Sequence, residues 1–555
     1  MGITKLKFTL SALLLLAGVA TQARNIYVSP SGSNMNDGSK ESPYRTISKA
    51  AYVAIAGDSV IIHEGTYRER VSPANGGTTP ARRITYTAAP GEKVYIKGSE
   101  VVKGWKKVSG NVWKTVVDNS LFGDFNPFEL NVYGDWLLSG NDCHLGQVYI
   151  DGKGLAETPK IEDVKALESN KWHAVVTDEI TTIYANFDGA SPVKALTEIN
   201  VRPTCFYPNT NGVNYITVDG LNISQAATQW AAPTSEQIGI VGPNWSKGWI
   251  IKNCDISYSR CVGVSIGKER STGQNLSIQY RPTAPFNKVG FTREVEAIIS
   301  AINRGWCKEN IGSHLIENNK IYECGQAGVV GHLGCAFSTI RGNEIYDICH
   351  TGEFGGFETA GIKLHAGIDV VVEGNVIVNT GRGMWMDWQA QGMHVLNNVL
   401  SDNDIQDFFI EVSHGPTVVA NNIMLSEWSI YSDAQVLHLL TISSQVVLWC
   451  VVLHIATLHT TLLTLLNSLV FTTMAVVTSA TTTTCSLVKV PRKTKMARLR
   501  IMDLRVTTHS QTMWIIRELS LRWTRVWSIV SQSTLREMYI TRVLCLSTRR
   551  RTTRC

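Results

Sequence analysis

Two acidic residues set out the chemistry this chain could do. Asp387 lies in GMWMDWQAQG and Glu411 in FFIEVSHGP, 24 residues apart. If 24 residues make one turn of a coiled chain, adjacent strands at ~4.8 Å bring the two carboxyl groups together. Two carboxylates about 5–5.5 Å apart suit a retaining glycosidase, where one attacks the anomeric carbon and the other protonates the leaving oxygen; an inverting enzyme needs about 6.5–9.5 Å to seat a water. Stacked like charges repel, so one member should be driven towards its protonated form, as a general acid requires. The pair could instead be an exposed carboxylate ladder or a calcium pair, and spacing alone does not separate these readings. The neighbours favour catalysis. Trp230, Trp385 and Trp388 offer faces for a sugar ring, and His332, His365 and His414 offer donors. Lys363 is the obvious basic neighbour, and Glu358 in GGFETAGIKLH leads towards the same face. Each Trp could equally be packing, and each His a satisfied surface residue.

The elements that must position these residues are legible as a repeat. The segments KNCDI, ENNKI, RGNEI, EGNVI, NNVL and NNIM place equivalent positions at Cys254, Asn319, Asn343, Asn375, Asn398 and Asn422, with spacings of 65, 24, 32, 23 and 24 residues. Short V/I/L strands at this period, with Gly before the strand and Asn at the turn, predict a right-handed parallel β-helix. Asn suits the turn because it bonds local backbone and tolerates left-handed dihedrals, and stacked Asn side chains could bond one another along the axis. The longer spacings predict outward loops, notably at 267–297. Counting 11 residues back from the Asn gives a second column: His332, Leu364, Asp387 and Glu411.

Residues 24–98 predict an amino-terminal cap and first coils. RNIYVSPSGS alternates as a strand, Thr46 to Ala56 has helical apolar spacing ended by Gly57-Asp58, and Ser59 to His63 form a strand. A short helix there would cover the open end of a solenoid. Residues 99–195 lose the period, are richer in Trp, and predict an inserted antiparallel β-sandwich; coils resume over 196–435. The fold class is therefore all-β.

The ends of the chain read differently. Residues 1–23 carry Lys5 and Lys7, a short apolar run and small residues at Thr21 and Ala23, the pattern of a signal peptide, which predicts a periplasmic or secreted protein. The eight cysteines before residue 436 show no CxxC, so neither a zinc site nor a dense disulfide framework is expected, although one or two bridges could form. Among 555 residues, 45 glycines and 18% charged residues exclude a wholly disordered or coiled-coil chain. The net charge of +6 divides sharply: residues 436–555 hold 16 Lys and Arg against 3 Asp and Glu, leaving 36 against 43 before them. The last 120 residues contain no Gly and 22 Thr. They could be read as a membrane span and a basic arm for nucleic acid. The abrupt loss of all repeat punctuation points instead to translation in a shifted frame, so neither a true membrane span nor a nucleic-acid partner is expected. Such a tail would leave the coil ending at Ile430 with an open edge.

GDSVIIHEGTYRERVSP, FGDFNPFELNVYGDWLL, GLNISQAATQWAAPT, GIVGPNWSKGWII, CGQAGVVGHLG, ETAGIKLHAGIDV, MWMDWQAQG and EVSHGP closely resemble glycoside hydrolase family 120, from about residue 26 to about 435. The resemblance implies β-xylosidases with a right-handed β-helix interrupted by a β-sandwich, acting as exo-enzymes on xylooligosaccharides. It implies that Asp387 is the nucleophile and Glu411 the acid/base, with Glu358 assisting the acid/base or binding sugar. It also implies a homotetramer. Resemblance stops after SEWSIYSDAQ, where family members continue with further coils. Two other classes remain open on the residues: a polysaccharide lyase, whose base would be Lys or Arg, and a non-catalytic carbohydrate-binding solenoid. No cofactor is expected; turn carboxylates could hold structural calcium, but no EF-hand-like spacing supports it.

Overall fold

The computed structural model describes residues 23–434 apart from Asn141, 166–169 and 269–296, and beyond residue 434 it describes backbone strands alone. The signal segment, most of the predicted 267–297 loop and the side chains of the tail lie outside the described residues. Three parallel sheets wind into a right-handed β-helix. The first sheet runs from Asn25–Val28 to Thr417–Ala420, the second from Gly65–Tyr67 to Ile423–Met424, and the third from Val262–Ser265 to Ile430–Asp433. Each contributes one inward column to a single core. Ile251, Ile316, Ile340, Val372, Val395 and Val419 come from the first, while Ile256, Ile321, Ile345, Ile377, Leu400 and Met424 come from the second. Val329, Ile362, Met384 and Phe408 come from the third. Side chains alternate across a strand, so the outward face of the third sheet is free to carry polar groups.

The asparagine column forms as expected. Asn319 donates through Nδ2 to Asn343 Oδ1 at 2.9 Å, Asn343 to Asn375 at 2.9 Å, Asn375 to Asn398 at 3.0 Å and Asn398 to Asn422 at 2.9 Å. The residue before each ladder position is left-handed: Asn253, Asn318, Gly342, Gly374, Asn397 and Asn421 have φ of 54°, 54°, 65°, 64°, 58° and 58°. Gly and Asn adopt that conformation at least cost, which favours these two residues at the turn of the repeat.

At the amino end the helix Ile47–Val53 buries Ile47, Ala50 and Ala51 over the core, with the Thr46 side chain accepting from the Lys49 amide at 3.2 Å. A five-stranded sheet and a four-stranded sheet, built between Ser99–Val101 and Thr197–Asn200, pack on each other through Trp105, Phe122, Phe128, Val148, Trp172, Ile183 and Ile199. All neighbouring strands in them are antiparallel except Ala156–Glu157 beside Lys171–Val176. Beyond Ile430–Asp433, backbone strands Leu437–Leu440, Ser443–Ser444 and Leu448–Cys450 pair in parallel with the preceding coil. The edge expected immediately after Ile430 is therefore displaced by one coil in the first two sheets, and in the third it is continued by the antiparallel strands Thr482–Ser486, Arg498–Thr508 and Gln511–Ser520. No helix among the described residues is long and apolar enough to cross a membrane, and the eight described cysteines are all free thiols.

Candidate active site

Two outward columns run along the third sheet. One contains Val330, Lys363, Trp385, Phe409 and Tyr431 in register. The other begins with His332 opposite His365 and ends with Glu411 opposite Asp433. Asp387 enters this second column between His365 and Glu411, because the preceding Met386 lies opposite both Leu364 and Ile410. A uniform count of 11 from the asparagine had put Leu364 here. Leu364 instead faces the core and is fully buried. The connection after His365 is one residue shorter than in the neighbouring coils, and a slip of one residue exchanges the two faces of a strand. The alternation inside Lys363-Leu364-His365 carries that signal.

Asp387, Glu358, His365 and Lys363 converge in a buried cluster. Lys363 Nζ donates to Asp387 Oδ2 and lies 3.5 Å from Glu358 Oε1. His365 Nε2 is 3.2 Å from Glu358 Oε2 and 3.2 Å from Asp387 Oδ2. The backbone amide of Trp388 donates to Asp387 Oδ1 at 2.7 Å. Glu358, His365 and Asp387 offer ligand atoms within 4.8 Å of one another, which is a geometry that could hold a metal ion. The Lys363 ammonium already lies against both carboxylates, so an added cation would have to displace it.

The two carboxyl groups of the column are pushed apart in acidity. Burial raises Asp387, but the charges of His365 and Lys363, the Lys363 hydrogen bond and the Trp388 amide outweigh it and hold the carboxyl below its ordinary range. Glu411 is pushed up to about 8, first by burial and then by the negative charge of Asp387. At neutral pH the arrangement therefore holds one ionised and one protonated carboxyl on adjacent coils, which are the states of a nucleophile and a general acid.

The remaining predicted residues take varied places. His332 lies one coil before His365 with ring centroids 5.7 Å apart, and its Nδ1 is 2.9 Å from the Pro233 carbonyl; burial, Lys268 and His365 keep it far below the usual imidazole range. Trp388 is half-buried. His414 donates its backbone amide to Ala390 and keeps a half-buried side chain beyond Glu411. Trp385 is not an open platform: the Lys363 ammonium lies 3.0 Å from its ring centroid, and Phe409 stacks on it at 4.9 Å. Trp230 is a core residue, 1% exposed, with Nε1 donating to the Asp135 carbonyl and its ring edge-on to Phe354.

Trp230 reaches the site indirectly. The amide of the next residue, Ala231, donates to Gln326 Oε1 at 2.8 Å, and Gln326 Nε2 donates to the Glu358 carbonyl at 3.2 Å. The loop before Glu358 is also held by the inserted sheets. Gly355–Gly356 pairs with Leu137–Ser139, and Glu353 and Glu157 share the buried Arg260 guanidinium at 3.2 and 2.8 Å. Sequence reasoning missed a second buried cation, Arg382, which stacks 4.3 Å from the Trp385 centroid. Its signal was its place in GRGMWMDW, three residues before Trp385.

Against known proteins, the model of "Glycoside hydrolase 120, insertion domain" matches residues 102–199, that of a right handed beta helix region matches 206–432, and that of a protein of unknown function (DUF1565) matches 30–104. A solved structure of XylC in complex with xylose is 45% identical, covers 76% of this chain and 70% of its own, and superposes with a TM-score of 0.71. Among curated proteins, the uncharacterized protein YwoF of Bacillus subtilis (strain 168) is 43% identical over 76 residues, 14% of this chain; the match spans 16% of YwoF.

Proposed function

The chain belongs to glycoside hydrolase family 120, and from that membership we propose that it is an exported retaining β-xylosidase releasing xylose from the non-reducing ends of xylooligosaccharides. What supports the mechanism is the placement of Asp387 and Glu411 on neighbouring coils in surroundings that push the first carboxyl below and the second above its ordinary range. A carboxylate attacks the anomeric carbon from Asp387 while Glu411 gives its proton to the departing oxygen, leaving a covalent xylosyl–Asp387 ester. Glu411, now ionised, takes a proton from water; the oxygen attacks the same carbon, frees xylose and restores Asp387. Lys363 holds Asp387 in charge and orientation, His365 lies between Asp387 and Glu358, and Glu358 assists the acid/base or binds sugar. The binding of xylose by a relative 45% identical to this chain supports the choice of sugar. Lys363 is engaged with two carboxylates, which speaks against a lyase that would use it as the base. The apolar run in residues 1–23 supports export, and amino-terminal sequencing of the mature protein should begin near residue 24. The family resemblance supports a homotetramer, readable by sedimentation equilibrium.

The test separates the two roles. Asp387→Asn should abolish turnover of an aryl β-xyloside in a folded protein. Glu411→Ala should keep glycosylation from an activated aryl xyloside, because a phenolate leaves with little protonation, and should stall at the covalent intermediate. Azide needs no base and should rescue it as the β-azide, the product of two inversions. An α-azide, or β-azide from Asp387→Ala instead, would overturn the assignment.

A further inference from the structure

Arg382 precedes the third-sheet strand Met384–Met386 and is 8% exposed. Its guanidinium lies over the Trp385 and Phe409 rings, and Nε donates to Gln406 Oε1 at 3.1 Å, while Nη1 is buried with no hydrogen-bond partner. The same holds for Trp385 Nε1, on the ring over which the guanidinium lies at 4.3 Å. Two buried N–H donors on one short segment therefore lack acceptors. This is unusual for a charged group, since a buried donor left unpaired carries its full desolvation penalty. The carboxylates do not satisfy them. Lys363 and His365 already bridge Asp387 and Glu358, yet the charges acting most strongly on Arg382 are those of Glu411, Glu358 and Asp387, in that order. Arg382 thus lies beside the cluster, stacked on the Trp385 ring against which the Lys363 ammonium also lies, without pairing with a carboxylate.

We propose that Arg382 is a specificity-determining residue that reads a hydroxyl oxygen of the sugar at the reaction centre through Nη1, with Trp385 Nε1 as its companion donor. This rests on the xylosidase reading above. A hydroxyl oxygen is the fitting acceptor because it brings no charge to a cluster that already contains Asp387 and Glu358, and the planar fork of a guanidinium matches adjacent sugar oxygens. The packing partners position the reader. Phe409 and Lys363 fix the Trp385 ring, and the ring and Gln406 fix the guanidinium plane.

The experiment measures binding, by titration calorimetry, of xylose and its 2-, 3- and 4-deoxy forms to the full chain and to Arg382→Met and Trp385→Phe. The first variant keeps the stem over the ring; the second keeps the ring and loses only the N–H. Wild type should prefer xylose over the deoxy sugar lacking the read hydroxyl by about 100-fold or more. Arg382→Met should shrink that one preference by at least about 10-fold while leaving the preferences at the other hydroxyls in place. Trp385→Phe should shrink the same or an adjacent preference. Equal weakening of all four sugars would make Arg382 structural and overturn the proposal. Absence of xylose binding and of xyloside turnover in the folded wild type would instead bring down the xylosidase reading itself. Should Arg382→Met fail to fold, Arg382→Lys, which keeps the charge and loses the fork, decides the same ratio.

Discussion

Lys363 is fully buried, and its ammonium is the cation against Asp387 and beside Glu358. Replacing it with Met leaves two carboxylates facing each other in a buried site, where breaking such a pair costs about 3–5 kcal/mol. Asp387 should then move up in pKa, and the acid limb of the pH–rate profile should shift to higher pH, with kcat/KM reduced by about 100-fold or more. Glu411 shows the opposite exposure to pH. Its carboxyl stays protonated up to about 8 in the fold, against an ordinary value of 4.5. If Glu411 is the proposed acid, activity should fall as pH rises through about 8, where its proton is lost. Stability follows the same proton. Between the two values the native state binds a proton that the unfolded chain releases, so Glu411 increasingly destabilises the fold as pH rises through that window. Glu411→Gln should therefore unfold at higher urea concentration than the parent at pH 8, and the difference should vanish near pH 4. An unchanged difference across that range would show that Glu411 is not protonated by its surroundings.

The asparagine ladder is the element on which the coil register depends. Asn375 is buried, donates to the Ile340 carbonyl at 3.0 Å and to Asn398 at 3.0 Å, and accepts from the amide and side chain of Asn343 at 3.0 and 2.9 Å. Asn375→Ala strands several of these groups in a dry turn, so denaturant unfolding should lose about 2–5 kcal/mol. The ladder was legible in the sequence because one residue type recurs at one coil position, preceded by Gly or Asn for the left-handed backbone. The core columns were legible for the same reason. Asp387 and Glu411 were found because their two coils have equal length, whereas His365 was displaced by a connection one residue shorter. Arg382 was visible in GRGMWMDW, but the stacking of Trp385 among Lys363, Phe409 and Arg382 was not legible. It depends on which outward residues of three different coils meet, and no spacing along one coil reports that. Trp230 misled because an aromatic residue in a polar segment looks the same from the sequence whether it faces a ligand or lies under an inserted domain.

At the scale of the whole molecule, the inserted sheets and the helix are joined by a buried charge cluster, with Arg260 between Glu157 and Glu353 and the His144 carbonyl accepting from Arg260 at 2.7 Å. The loop they grip leads directly into Glu358, so the insertion supports the reaction centre from outside the coil stack. The carboxy-terminal 120 residues differ in kind from this design, with no Gly for any turn. Resequencing the gene across codons 425–445 should restore Gly- and Asn-punctuated coils in a neighbouring frame; an unbroken frame with no such coils in either alternative would refute the shifted-frame reading. The second outward column has a consequence for evolution. It places Asp387, Glu411 and Asp433 on successive coils, so distances between acids along it come in whole steps of ~4.8 Å. A single step matches retention, and a double step, ~9.6 Å, approaches the span used for inversion. On such a scaffold stereochemical outcome is an integer: a lineage could cross from one to the other by transferring the proton donor one rung, without redesigning the wall that holds it.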